Sequence, residues 1–353
     1  LGYGQRELSH PAWAAHGGVL GFLKCVGMEW AEVLVRTVDV DRSRDAGHLA
    51  DFLLQELSDR HGPLEVGYRE RVRLTWEPEA APLDCDDEKS RRVLEPGSTI
   101  VITGGARGIT AEIALALADR YPLNLIIVGR SAEPTDEEDP EIAQLADAQA
   151  IKQALIARFQ ADGKNGSPGE IESAHRKILR ERELRQNLSR LRASGATVEY
   201  HALDVRDRSA LAALIRDVAQ RYDGIDGVVH GAGVIEDKLL RDKTPESFDR
   251  VFGVKVESVH ALSELLDPED LKFCIFFSST ASRYGNVGQS DYAAANEVVS
   301  KMALELDRRW PARVAAIAWG PWTEVGMVAE LEPHFEARGV ALIRPEIGAR
   351  HFI

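Results

Sequence analysis

Apolar residues recur at helical spacing from Trp13 to Trp30, and a short apolar run from Val35 to Val40 predicts a strand. A second helix is predicted from Ala46 to His61, followed by strand pieces from Glu65 to Tyr68 and from Val72 to Trp76. Residues 1–82 thus read as α/β alternation without a glycine-rich turn. The stretch from Glu77 to Gly97 is rich in Pro, Asp and Glu and has no apolar period, which is the pattern of a linker, set here at 83–97. A fresh unit, 98–353, opens with the β-branched run Ser98 to Thr103. It continues through Gly104-Gly105-Ala106-Arg107-Gly108-Ile109-Thr110, a helix from Ala111 to Arg120 and a strand from Asn124 to Val128 that ends on Gly129-Arg130-Ser131. Further strands are predicted at Thr197 to Ala202, Gly227 to His230, Phe273 to Phe277 and Val314 to Trp319, an alternation that implies a parallel, doubly wound sheet.

Between residues 132 and 194 the alternation gives way to two long amphipathic helices, Glu141 to Ala161 and Gly169 to Ala193, broken at Gly163 to Gly169. Ile142, Leu145, Ile151, Leu155 and Phe159 supply an apolar stripe. The second helix is dense in Arg, Lys and Glu at i, i+3 and i, i+4 spacings, the signature of a solvated face with local ion pairs. A role in docking a partner is the lesser reading.

The first helix-strand pattern recurs near the end of the chain. At one constant offset Trp13 falls on Tyr292, Gly17 on Asn296, Val35 on Val314 and Val38 on Ile317. The apolar pattern is kept and the polar groups are lost, so the chain reads as a duplicated fold in which only the later copy reacts. The expected class is α/β with two Rossmann-like units: an incomplete structural one, and a catalytic doubly wound parallel sheet carrying a helical insertion.

Length and charge narrow the function. At 353 residues the chain exceeds the size at which single cores usually stop growing. With 44% hydrophobic and 28% charged residues it has the composition of a globular protein. A formal charge of −14 lacks the basic footprint that nucleic-acid binding needs. No apolar run approaches the ~20 residues that span a bilayer, and the start shows no signal-peptide pattern, so no membrane contact is expected. Cys25, Cys85 and Cys274 are too scattered for a disulfide framework and no metal-ligand spacing occurs, which fits reduced thiols in a cytoplasmic protein without a metal. The chain opens at Leu1 in what reads as domain interior and stops at Ile353 after a helical signal, so it is expected to be a piece of a multidomain polypeptide.

The glycine turn between strand and helix lets the backbone approach a pyrophosphate, with helix-terminal N–H groups aimed at the anion. Gly104, Gly105, Arg107, Gly108 and Ile109 are the candidates. An acidic residue ending the second strand would bind a free ribose; Arg130 and Ser131 stand there instead, and with Arg107 they favour the 2′-phosphate of NADPH over NADH. Asp204 and Val205, closing the next strand, are candidates for the adenine edge. Gly231, Ala232 and Gly233, after His230, let the chain pass close to the cofactor. Tyr292 and Asn296 share one helical face, and Ser279 lies at the carboxyl end of its strand, where open sheets place ligands. A tyrosine, with an unperturbed pKa of ~10, protonates an alkoxide near neutrality only if its phenolate is stabilised. Lys255, in the run Val251-Phe-Gly-Val-Lys-Val-Glu, is the candidate ammonium.

On these residues the chain resembles the short-chain dehydrogenase/reductases over 98–330, and in particular the ketoreductase domains of polyketide synthases. In that family a Lys, Ser, Tyr, Asn set occurs in this order, and Lys255, Ser279, Tyr292 and Asn296 match it, as do the flanking Phe277-Ser-Ser279, Tyr292-Ala-Ala-Ala-Asn296 and Trp319-Gly-Pro-Trp322. Residues 1–82 resemble the family's structural subdomain. The resemblance implies hydride transfer from NADPH to a β-ketoacyl chain on an acyl carrier protein, among neighbouring synthase domains of one polypeptide. Tyr292 would donate the proton, Ser279 would bond the carbonyl oxygen, Lys255 would lower the tyrosine pKa and Asn296 would order the lysine or a water. Asp237 falls where reductases giving the D-alcohol carry Leu-Asp-Asp, although Ile235 and Glu236 differ, and Tyr284 stands where the opposite class has tryptophan. Thr110 replaces the last glycine of the turn in many relatives. The long insertion resembles the reductases of polyunsaturated fatty acid and enediyne-type synthases. Gly326-Met-Val resembles the family's active-site lid, expected at about 323–343. The rival readings are a non-catalytic scaffold and a dehydrogenase acting on a free small molecule.

Overall fold

The computed structural model of the chain describes all residues except 1–11, 41–44, 70–71, 81–93, 135–137, 162–165, 327–334, 336 and 338. Strands β4 (Thr99–Thr103) and β5 (Asn124–Gly129) carry unbroken runs of Ile, Val and Leu because both faces of a parallel sheet are covered. Four more strands, β6 (Thr197–Ala202), β7 (Gly227–His230), β8 (Phe273–Ser279) and β9 (Arg313–Trp319), complete a six-stranded parallel sheet in the order β6-β5-β4-β7-β8-β9. The order reverses between β4 and β7, the switch point outside whose strand ends open α/β sheets hold their ligands.

Helices cover both faces. On one, α3 (Gly108–Arg120) and the second half of α6 (Pro168–Ala193) pack Ile113, Leu117, Leu184, Leu188 and Leu191 onto Ile100, Ile102 and Ile127. On the other, α7 (Arg208–Tyr222), α8 (Pro245–Leu265) and α10 (Ser290–Arg309) bury Leu211, Val218, Val259, Leu262 and Val299 against Val101, Val228 and Phe276. The helix starts have chemical causes. Ser167 and Thr244 form capping boxes ahead of Pro168 and Pro245, and Asp207 accepts from the amide of Ala210 at 3.0 Å.

A smaller sheet pairs β1 (Thr37–Asp39) parallel to β2 (Glu65–Arg69), with β3 (Val72–Thr75) antiparallel beyond it. Helix α2 (Ala46–Ser58) stacks Phe52 on Tyr68 at 4.1 Å between ring centres, and the buried Glu56 takes hydrogen bonds from Tyr68, 2.6 Å, and Arg73, 2.9 Å. The two sheets are joined chiefly by α1 (Ala12–Glu29) lying along α10. Their approach is backbone to backbone: a Cβ on Gly21 would stand 2.8 Å from Ala294 Cα, and one on Gly17 3.0 Å from the carbonyl oxygen of Glu297. Buried charge reinforces the seam, where Lys24 Nζ donates to the carbonyl of Ser282 at 2.8 Å and pairs with Glu65 at 3.5 Å and Glu297 at 3.7 Å.

The helical insertion differs in detail from its pattern. The stretch expected as one helix from Glu141 is two, α4 (Pro140–Ala143), capped by Asp139, and α5 (Ala148–Ala161), whose first turn is held by Asp147 accepting from Ala150 at 2.9 Å. An acidic side chain at each start offers the backbone a cap in place of a continued helix. α5 packs on α6 around Ile142, Ile151 and Leu155. α3 begins earlier than its apolar pattern, at Gly108, because the glycine turn itself enters the helix. Cys25 and Cys274 are buried free thiols, and Cys85 lies outside the described residues.

Gly21→Ala is expected to destabilise the fold by about 1–3 kcal/mol through overpacking, despite alanine's better helix propensity. Gly169→Ala, in α6 with nothing within 4 Å of its Cβ, is the control and should be neutral or stabilising. Urea midpoints of the two variants check this, and equal midpoints would count against a tight α1–α10 contact.

Candidate active site

At the switch point the two sides of the crevice touch through bare backbone. Gly104, Gly105 and Gly108 have φ of 94°, 75° and 55°, left-handed values that side chains disfavour. A Cβ on Gly104 would stand 2.7 Å from the amide nitrogen of Ala232, and one on Gly231 would run into the Thr110 hydroxyl. The turn after β4 and the segment His230–Gly233 after β7 are therefore pressed together, with Thr110 filling the space a glycine would leave. Arg107, the N-cap of α3, gives the helix no side-chain cap, and first-turn amides have no partner within a helix. Bare glycine backbone at the start of a helix fits a dinucleotide pyrophosphate.

The rim beyond β5 and β6 gathers the expected cations. Burial raises the pKa of Tyr200 while the charge of Arg107 opposes the rise, and the Tyr200 hydroxyl donates to the Ser131 carbonyl at 2.7 Å. Burial also pushes the Asp204 carboxyl up, but hydrogen bonds from Arg206 and the charges of Arg206 and Arg130 outweigh it and hold it below its ordinary value. Arg107 and Arg130 thus act on neighbouring side chains at one rim. Val205 is buried in the core beneath, and Ile109 packs against the α3 cluster.

On the other side of the crevice, Lys255 of α8 is 3% exposed and donates from Nζ to the carbonyl of Phe277 at 2.7 Å. Desolvation lowers its ammonium to about 8. A Cβ on Gly233 would lie 3.4 Å from Lys255 Nζ, so the glycine makes room for the amine. Ser279 ends β8 and caps α9 (Thr280–Tyr284), accepting from the amide of Ala281 at 3.2 Å. Tyr292 is 9% exposed. Burial raises its pKa; the neighbouring side chains of Ser279 and Asn296 pull it back, and the charge of Asp237 adds to the rise. Asn296 Nδ2 donates to the carbonyl of Tyr292 at 2.8 Å, one turn back, and its Oδ1 is buried with no partner among the described residues. Ser279 and Asn296 thus stand close enough to Tyr292 to act on its phenol, and Lys255 lies at the passage beside Gly233.

Asp237 joins this group through its charge on Tyr292 and through Gln289, whose Nε2 donates to Asp237 Oδ2 at 3.0 Å. Desolvation raises the Asp237 carboxyl above its ordinary value. Tyr284, 57% exposed, lines a different recess with Trp76, Met28 and Arg283, which holds none of the other candidates. Gly326 lies over the glycine turn, since a Cβ on Gly108 would stand 3.3 Å from Gly326 Cα. Met327 and Val328 of the expected lid lie outside the described residues.

Several residues at the site carried no sequence argument. Lys243 and Asp291 form a buried pair at 2.7 Å, and Asp291 accepts from the amide of Tyr292 at 2.8 Å, fixing the start of α10. Gln289 and Asp291, polar beside a run of alanines, were a readable signal; Lys243 was not. His230, fully buried, is bonded at Nδ1 to the Thr103 hydroxyl, 2.6 Å, and at Nε2 to the Ser258 hydroxyl, 2.9 Å.

A family model described as the KR domain matches residues 171–324. The chain is similar to a polyunsaturated fatty acid synthase polypeptide of Thraustochytrium sp. (strain ATCC 26185 / S-3), with 31% identity over 95% of this chain and 12% of that protein. It is similar to the polyketide synthase PksM of Bacillus subtilis (strain 168), with 25% identity over 94% of this chain and 7% of that protein. The chain thus spans a small part of the curated relatives it matches. Among solved structures, A-type ketoreductases from a modular polyketide synthase superpose with a TM-score of 0.72 at 26% identity, covering 98% of this chain and 62% of theirs. An A1-type ketoreductase gives 0.71 at 27% identity, covering 97% and 62%.

Because Lys255 loses its proton as pH rises through about 8 while Tyr292 stays a phenol, dinucleotide affinity is expected to fall across that range. Fluorescence titration of NADPH from about pH 7 to 9 tests this. The fall should vanish in Lys255→Met, and a flat wild-type profile would remove Lys255 from the cofactor passage.

Proposed function

The chain belongs to the KR-domain family, the ketoreductase units of polyketide and polyunsaturated fatty acid synthases, and from that membership we propose that it reduces a β-ketoacyl chain to the β-hydroxyacyl chain on an acyl carrier protein. NADPH is the reductant, the alcohol is D-configured, and the domain works in the cytoplasm among the other domains of a multidomain synthase. The observation that carries the reading is the buried Tyr292, with Ser279 and Asn296 beside it, next to the glycine-walled crevice.

A reduced nicotinamide dinucleotide, held at the turn of Gly104, Gly105 and Gly108, would supply the hydride to the β-carbon. The remaining chemistry belongs to side chains. As the carbonyl oxygen gains negative charge, the Ser279 and Tyr292 hydroxyls offer it two donors in a water-poor site, where such bonds are strongest. The phenol then gives up its proton to that oxygen. Burial keeps Tyr292 protonated before the reaction, so the donor is in its competent form at neutral pH. Asn296 ties its amide to the Tyr292 carbonyl and so fixes the turn of α10 that presents the phenol. Among the described residues no helix is long and apolar enough to cross a membrane.

The preference for NADPH rests on Arg107 and Arg130 at the β5–β6 rim, with no acidic residue closing β5. Arg130→Ala is expected to weaken NADPH binding about tenfold, as loss of one charge-assisted contact does, and to leave NADH nearly unchanged. Equal losses for both cofactors would remove the preference. The stereochemical reading rests on Asp237, held by Gln289 at the approach to Tyr292.

With an acetoacetyl thioester, the intact chain should oxidise NADPH and give the D-alcohol, and Tyr292→Phe should lose on the order of 10²–10⁴ in kcat. Chiral analysis of the alcohol reads the Asp237 assignment separately. Tight NADPH binding without turnover of free or carrier-bound thioester would identify a scaffold instead.

A further inference from the structure

The second long helix of the insertion reaches the cofactor turn itself. Glu183, on α6, accepts from the backbone amide of Gly108 at 2.7 Å, the first residue of α3. Four residues on, the buried Asn187 donates from Nδ2 to the carbonyl of Ala106 at 2.9 Å, and Arg190 pairs with Glu112 of α3 at 3.0 Å. Leu184, Leu188 and Leu191 seat the same stretch in the core. Glu183 is therefore held in place by neighbours on both sides of its helical turn. Among the described residues no cation pairs with it, and its hydrogen-bond partner is the helix amide. Where Arg107 supplies no cap, a carboxylate from another helix does so.

A helix N-terminus favours one anion, and a dinucleotide brings a second to the same place. We propose that Glu183 sets dinucleotide affinity as a resident anion of the site, satisfying the Gly108 amide when the cofactor is away and repelling the pyrophosphate when it arrives. This deepens, and rests on, the reading of the glycine turn as an NADPH site. The helix contributed by the insertion thereby limits how tightly NADPH and the spent NADP⁺ are held, which favours release between turnovers.

Glu183→Gln keeps an acceptor oxygen for Gly108 and removes the charge. By direct NADPH fluorescence titration it should bind about tenfold more tightly than wild type at low salt, and the gain should shrink at high salt because the repulsion is screened. Adenosine 2′-monophosphate, which lacks a pyrophosphate, should bind both forms alike. Glu183→Ala should also gain affinity, with a lower Tm of the cofactor-free protein from the lost cap, and it stands in if the glutamine variant fails to fold. If wild type and variants bind NADPH equally, or the variants bind more weakly, the proposal is overturned and the NADPH site stands. If none binds NADPH, the cofactor reading and the proposal fall together.

Discussion

The close approach of α1 to α10 is the constraint on which the site depends. Two helices whose backbones meet through Gly17 and Gly21 on one side and Ala293, Ala294 and Glu297 on the other have little freedom to slide. Tyr292 and Asn296 lie on the helix so gripped. The same contact leaves no room for a side chain at the position that the offset sets on Asn296. The position that carries Asn296 in the later copy is Gly17 in the early one, and it now faces α10, where any side chain would separate the helices.

Charge extends the clamp around the site. Glu29, near the end of α1, accepts from the amides of Leu240 at 2.6 Å and Gly288 at 2.9 Å, so one carboxylate ties together the two loops that border Asp237 and Tyr292. Gln289 bridges the same loops by bonding Asp237, and Lys243 bridges them by its buried pair with Asp291. A buried pair of this kind gives little net stability but a large penalty for any arrangement that breaks it. Its worth here is geometric, holding the loop after β7 in register with the start of α10.

Much of this was legible from the chain alone. The strand-glycine turn-helix order located the switch point because glycine most readily adopts the left-handed backbone of Gly104, Gly105 and Gly108, and the apolar runs of β4 and β5 follow directly from burial on both faces. Nothing in the periodicity of α1 and α10 said that the two helices pack on each other. Interactions bridging distant positions were illegible: Glu183 with Gly108, Lys243 with Asp291, Glu29 with two loops. Each joins a charged side chain, ordinary in its own segment, to a backbone or a partner that only the tertiary fold supplies. The break between α4 and α5 was missed for a local reason, since the caps at Asp139 and Asp147 sit within an otherwise helical pattern.

His230 shows how a neutral group can be required beside a charged one. Its Nε2 meets the Ser258 hydroxyl, which itself donates to the carbonyl of Val254 and so must accept from the ring; Nδ1 is then the acceptor for the Thr103 hydroxyl. One neutral tautomer satisfies every atom. Burial, aided by the charge of Lys255, lowers the ring's pKa to about 3, so the histidine stays neutral where the lysine is protonated. A protonated ring would face the Lys255 charge across the core and would lose the bond from Thr103. The imidazole therefore serves as an uncharged strut from β4, which launches the glycine turn, to the turn of α8 that carries Lys255. It couples the cofactor side of the crevice to the ammonium on the other side without adding a second cation.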